Sequence, residues 1–288
     1  MKKSAPHIDI LKRHIFVTGL PRSGSTLVCQ LLGHHPDIYS TGHSSPLSHT
    51  INGMRARWSN DAFLLSQLDV DFDLAYNRLL NGYRGFMNGW FAETDKPVVV
   101  DKNRSWLGSI DAALQIDPKA KFVVCLRELG QLFGSIEAQH QKTVLLDSGD
   151  NTANMTPHGR ATAYFKEGGM VASCLANVES ALEDLDDSYK AHLFFLRFED
   201  LMQDPTDTME KLWTFLDLPK HEIDFNNLQV KPHESDSHYK FKFRHRTQSA
   251  LKTIGEHRIP ARTQKGLQGQ HTWFYKIFYP QYLKARRP

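Results

Sequence analysis

The chain has 288 residues, 40% hydrophobic and 23% charged, with a formal net charge of +3. That length can bury a large α/β core, and so small a charge gives no footprint for nucleic acid while leaving room for a local positive pocket. The three cysteines, Cys29, Cys125 and Cys174, are too dispersed for a disulfide framework or a zinc site. With no apolar signal core at Met1–Pro6 and no run of about 18 apolar residues, the expectation is a cytoplasmic protein without a membrane span.

In chain order, the apolar run Ile15–Thr18 stops at Gly19. A turn rich in glycine and hydroxyls follows, Leu20-Pro21-Arg22-Ser23-Gly24-Ser25-Thr26, and a helix is predicted over Ser25–Gly33. Strand, loop and helix in this order cradle an anion, because backbone N–H groups at the helix start point into the loop and the dipole favours negative charge there. Gly19 and Gly24, followed by Ser25-Thr26, have the spacing of a phosphate-binding P-loop. The lysine expected after the second glycine is Ser25, and the nearest cation is Arg22. A nucleoside triphosphatase needs that lysine on its terminal phosphates, so the loop suits a different anion.

His35-Pro36-Asp37 turns the chain, and the extended piece Ile38–Ser40 leads into a polar segment at Gly42–Ser45. Helices are predicted at 61–80 and 83–93. Val98–Val100, ending in Asp101-Lys102-Asn103, reads as a strand buried on both faces. Ser105–Ile116 reads as helix, Lys121–Leu126 as a strand ending at Arg127, and Leu129–Gln141 as helix. Thr143–His158 is expected to be a loop or lid and Gly159–Asp187 one long helix. His192–Arg197 is a further strand, after which Glu199 and Asp200 are expected to cap a helix or brace the loop. Asp204-Pro205-Thr206 opens a helix with Met209, Leu212 and Trp213 on one side. Past Lys231, the segment bearing Tyr239, Phe241, Phe243, Arg244 and Arg246 fits either a strand pair or an irregular arm. Phe86, Trp90, Phe91 and Trp106 could line an acceptor pocket, with core packing the expected role.

This order implies an α/β fold: a central, mainly parallel sheet of about four to five strands with helices on both faces, of the P-loop-containing nucleotide-binding type. The chain 1–288 is expected to form one domain, with a core at 14–218 and a C-terminal arm at 219–288. Gly19, Asp101, Arg127 and Arg197 all follow strand ends and are expected to face one crevice. An acceptor pocket is expected from the loops at 42–58 and 143–158 and from the arm.

Three separated segments now agree. The first is Pro21-Arg22-Ser23-Gly24-Ser25-Thr26 after a strand. The second is Lys121–Arg127, with Ser135 eight residues past Arg127. The third is Leu193–Leu201, then Asp204-Pro205-Thr206 and Trp213-Thr214-Phe215-Leu216. Together they resemble the sulfotransferases that use 3′-phosphoadenosine 5′-phosphosulfate (PAPS). The resemblance implies that Arg22, Ser23, Gly24, Ser25 and Thr26 hold the 5′-phosphosulfate, and that Arg127 and Ser135 hold the 3′-phosphate. The product would be adenosine 3′,5′-bisphosphate (PAP). Lys102 falls where the tyrosylprotein branch of the family carries a lysine, so Arg22 and Lys102 are the expected cations in place of a metal. His43 falls where that branch carries its catalytic glutamate and is the expected general base. Three departures stand out: Glu128 replaces an aspartate after Arg127, Phe198 replaces a tyrosine, and Gln264-Lys265-Gly266-Leu267-Gln268-Gly269 echoes the adenosine-site "RKGxxG" with Gln264 in place of arginine.

The expected activity is sulfuryl transfer from PAPS to an acceptor hydroxyl or amine on a small molecule or peptide, with neither nucleic acid nor membrane as partner. The alternatives are a P-loop kinase or nucleotidase, or a non-catalytic nucleotide-binding protein of the same fold. The sequence leaves the acceptor and the oligomeric state open.

Overall fold

The computed structural model describes residues 7–142, 144–145, 152, 154–230, 234–235, 244–245, 247–252 and 255–284. In chain order the elements are β1 (Arg13–Gly19), α1 (Ser25–Leu32), β2 (Ile38–Tyr39), α2 (Leu47–Trp58), α3 (Ala62–Val70), α4 (Phe72–Trp90) and β3 (Val98–Lys102). A 3-10 turn at Arg104–Ser109 leads into α5 (Ile110–Ile116), β4 (Lys121–Leu126), α6 (Leu129–Lys142), α7 (Pro157–Phe165), α8 (Met170–Glu183), α9 (Asp187–Lys190) and β5 (Leu193–Arg197). Then come α10 (Phe198–Gln203), α11 (Pro205–Phe215), β6 (Glu234–Ser235), β7 (Arg244–His245), α12 (Ala261–Gln270), α13 (Thr272–Phe278) and α14 (Gln281–Lys284).

The five strands β2-β3-β1-β4-β5 form one sheet in that order, and every pairing is parallel. Each central strand is buried on both faces, which is why it reads as a continuous apolar run. Side chains alternate across the sheet. Ile15, Val17, Val123 and Cys125 meet α1 and α11 on one face, through Val28, Leu31, Leu212 and Trp213. Phe16, Phe122 and Val124 enter the other core with Trp106, Met87 and Phe274, where the Phe16 and Trp106 rings lie 4.0 Å apart. Each such large apolar side chain contributes about 1.5–3 kcal/mol on burial.

Four helix expectations change. Residues 47–58 form α2 rather than a loop. The helix expected at 61–80 breaks at Asp71, whose extended backbone and carboxylate, accepting from Leu74 N–H, start α4; α4 then runs unbroken through Asn81–Gly82. The start of Ser105–Ile116 is a 3-10 turn. Gly159–Asp187 is two helices, because Lys166 is extended and Gly168 holds φ 75° between them. Glu234–Ser235 and Arg244–His245 form an antiparallel pair. Tyr239, Phe241, Phe243 and Arg246, the Arg244 side chain and half of the expected lid at 143–158 lie outside the described residues. Among the described residues, no helix is long and apolar enough to cross a membrane.

The parallel strands place all their carboxyl ends on one edge. β1 crosses over to β2 on one side while its neighbour β4 crosses over to β5 on the other, so the connections of these adjacent strands run in opposite directions. Ligands of such sheets sit in the crevice at that reversal, which here is the loop after Gly19.

Candidate functional site

The turn after β1 is held from inside. Ser23 is buried and its hydroxyl donates to Leu20 O at 2.6 Å, so that hydroxyl braces the loop. Arg22 takes φ 59° and Gly24 φ 87°. At Gly24 a side chain is excluded twice: the conformation is left-handed, and a Cβ would stand 2.6 Å from Phe198 Cδ2. Helix α1 starts at once, with no side-chain cap and no acidic residue in its first turn, which leaves its first N–H groups to an outside acceptor. Thr26 Oγ1 lies 3.0 Å from Lys102 Nζ at the end of β3.

The two arginine motifs meet at this loop. Arg22 Nε donates to Ser135 Oγ at 3.3 Å, and Arg127 Nη1 donates to Arg22 O at 3.1 Å. Arg127 is 6% exposed, and its guanidinium lies over the Phe198 ring, 4.7 Å from the centroid. Burial lowers its pKa most; Glu199 opposes that shift, and nearby Arg22 adds to it. Arg127 Nε is buried without a hydrogen-bond partner among the described residues. A desolvated cation with an idle donor is costly unless an anion completes it. The residues present therefore fit an anionic group against Arg127, Arg22 and the open start of α1.

Lys102 and the His43 segment lie side by side. Ser44 bridges Lys102 in parallel, Ser45 N–H donates to Lys102 O at 3.0 Å, and Asn103 Nδ2 donates to Ser45 O at 2.6 Å. Next to Lys102, Asp101 is buried and accepts from Trp106 Nε1 at 2.6 Å and from the Ser45 side chain. Burial raises the Asp101 pKa despite these bonds. His43 is half-buried one residue from the bridge, and its N–H donates to Thr41 Oγ1. Its ring makes no hydrogen bond among the described residues, so the structure brings the His43 segment to Lys102 without linking the two side chains.

The arginine at the end of β5 has another role. Arg197 forks onto Asp200 and donates to Phe278 O at 2.7 Å. Sequence reasoning missed the carboxylates that dock the C-terminal helices. Glu128, 1% exposed, accepts from Tyr275 OH at 2.5 Å, Gln264 Nε2 at 2.8 Å and Gln131 N–H at 2.7 Å. Glu199 accepts from Glu128 N–H at 3.0 Å and Tyr279 OH at 2.7 Å. Gln264, at the arginine position of the "RKGxxG" echo, is thus turned onto Glu128. The recurrence of tyrosine at 275, 279 and 282 was the available signal, but periodicity does not say which carboxylate a hydroxyl will find.

A family model described as the sulfotransferase family matches residues 14–222. No curated protein matches the chain. Similar solved structures include a sulfotransferase domain from the curacin biosynthetic pathway, at 16% identity over 91% of this chain and 98% of that one with a TM-score of 0.50. Sulfotransferase STF9 from Mycobacterium avium is 16% identical over 95% and 78%, with a TM-score of 0.47. Retinol dehydratase in complex with retinol and PAP is 14% identical over 97% and 85%, with a TM-score of 0.41. The likeness to the curacin-pathway domain is one of fold.

Proposed function

The chain belongs to the sulfotransferase family, and from that membership we propose that it moves a sulfuryl group from PAPS to an acceptor hydroxyl or amine. The observation that carries the reading is the junction of Arg22 with both Ser135 and Arg127 around the glycine loop. Two arginines from distant segments, one with an unpartnered Nε, suit a nucleotide bearing a phosphate at each end of its ribose. The proposal covers 1–288 as one domain and a cytoplasmic location.

In this reading the backbone N–H groups from Ser23 to Thr26 and the Arg22 guanidinium hold the 5′-phosphosulfate. Arg127 and Ser135 hold the 3′-phosphate. The bound cofactor supplies the sulfuryl group: the acceptor's bond to sulfur forms as the sulfur–oxygen bond to the 5′-phosphate breaks. His43 takes the acceptor's proton. Arg22 and Lys102 stabilise the charge that gathers on the departing phosphate oxygen, so catalysis is mostly positioning and fixed charge, as in phosphoryl transfer.

The test is equilibrium binding of PAP, followed by an acceptor screen with isotopically labelled PAPS and mass detection. Micromolar PAP binding without magnesium, no binding of ATP, and label on an acceptor support the reading. ATP binding that needs magnesium overturns it in favour of a kinase or nucleotidase, and PAP binding without transfer to any acceptor favours a non-catalytic protein.

A further inference from the structure

We propose that His257 is a second cation of the 3′-phosphate site, beside Arg127, taking up a proton when that phosphate binds and so making nucleotide affinity pH-dependent. The proposal rests on the site reading above and adds to it a residue and a regulation.

The placement of His257 is over-determined. The chain just before α12 crosses α6, and Gln131 grips the backbone of His257 from both sides. His257 N–H donates to Gln131 Oε1 at 2.8 Å, and Gln131 Nε2 donates to His257 O at 3.2 Å. One turn along α6, Gly134 admits the imidazole. A Cβ on Gly134 would stand 2.4 Å from His257 Cβ and 2.9 Å from its Cγ, so only glycine lets the ring lie there. The next residue is Ser135, whose hydroxyl receives Arg22 Nε. The His257 ring is half-buried and makes no hydrogen bond among the described residues, so both nitrogens remain for a ligand.

The charges around the ring decide its protonation. The charges of Arg127, at the end of β4, and of Arg22, in the loop after β1, both act on it. On α6, the residues set against His257 are the neutral Gln131 and Gly134. Glu128, the carboxylate at the head of α6, is occupied by Tyr275, Gln264 and Gln131 N–H. On the ring's own segment, Glu256 and Arg258 are both exposed and opposite in sign. Burial lowers the His257 pKa, and the two arginines lower it further. A phosphate dianion seated against Arg127 and Ser135 reverses that balance and favours imidazolium, which has two donors. The sign follows: the pKa is raised by binding, so the extra affinity is complete below the free-protein pKa and is lost as pH rises through that of the complex.

The experiment is isothermal titration of the full chain with PAP at several pH values, in pairs of buffers of different ionisation heat. PAP with wild type is compared with PAP with His257→Asn and His257→Gln, and with adenosine 5′-phosphate, which lacks the 3′-phosphate. The wild type is expected to take up more protons than either variant and to lose about tenfold more PAP affinity between pH 6 and 8. Adenosine 5′-phosphate is expected to bind wild type and variants alike. If proton uptake and pH slope match between wild type and a folded variant, the role of His257 is overturned while the site reading stands. If the wild type fails to bind PAP at all, the site reading falls and His257 with it.

Discussion

Arg127 Nη1 donates to the backbone carbonyl of Arg22 at 3.1 Å, so the second arginine holds the loop conformation that presents the first. Arg22 then reaches back to Ser135 through its own Nε. The two guanidinium groups are brought together by hydrogen bonds, against their mutual repulsion, under partial desolvation. That arrangement stores a preference for negative charge.

Arg127→Lys tests that preference. A lysine keeps the charge but not the planar fork that reaches both Arg22 O and an outside anion. PAP affinity is expected to fall by about 1.5–3 kcal/mol, the range for hydrogen bonds to charged groups. Arg127 Nε is unpaired in the free protein, so the melting temperature is expected to stay within about 3 °C of wild type. Calorimetric binding and thermal melts check the two halves separately.

Gly24→Ala is expected to remove PAP binding and lower stability. The left-handed backbone alone costs about 1–2 kcal/mol with a Cβ, and the new methyl runs into the Phe198 ring at 2.6 Å. Adding Phe198→Ala relieves the collision but removes a buried ring that lies under Arg127, so the double variant is expected to regain neither affinity nor full stability. Urea denaturation and PAP titration read the two quantities.

His43→Ala is expected to leave the Kd for PAP within about twofold while lowering kcat by roughly 10²–10⁴, the range for loss of a positioned general base. Lys102→Met is expected to lower kcat as well, and to lose the contact with Thr26 Oγ1. Single-turnover rates with labelled PAPS separate chemistry from binding; unchanged turnover in His43→Ala would remove that residue from the mechanism.

Asp101 gives a pH signature in stability. Its folded-state pKa is raised by burial, so the folded protein holds this proton more tightly than the unfolded chain. The stabilisation is complete below the ordinary carboxylate pKa and is lost as pH rises through the raised one. Asp101→Asn is expected to flatten that part of the curve and to make the difference in stability favour the variant more at pH 7 than at pH 4. Denaturation midpoints of both proteins across that range test it.

Tyr275→Phe and Tyr279→Phe each leave a carboxylate, Glu128 or Glu199, short of one hydroxyl donor. Each is expected to cost about 1–3 kcal/mol. Because the same carboxylates flank Arg127, the loss is expected to loosen residues 255–284 first, which hydrogen exchange at α12 and α13 will show before global unfolding.

Much of the scaffold was legible because parallel strands write themselves as unbroken apolar runs: Ile15–Thr18, Val98–Val100 and Lys121–Leu126 all lie within observed strands. The helix breaks at Asp71 and Gly168 were less legible, since one capping carboxylate or one left-handed glycine interrupts a pattern without altering its composition. The glycine loop and the spacing from Arg127 to Ser135 were local enough to read directly, as was the family they resemble.

By itself the sequence determined the sulfotransferase family and the parallel α/β sheet, because both depend on short-range order: apolar periodicity and motif spacing within about a dozen residues. Only the tertiary structure decided that Phe198 fills the space beside Gly24, that Gln264 serves Glu128, and that His257 lies over Gly134 beside Ser135. Those contacts join residues more than 100 positions apart, and a partner at that separation is chosen by packing and burial rather than by any pattern along the chain.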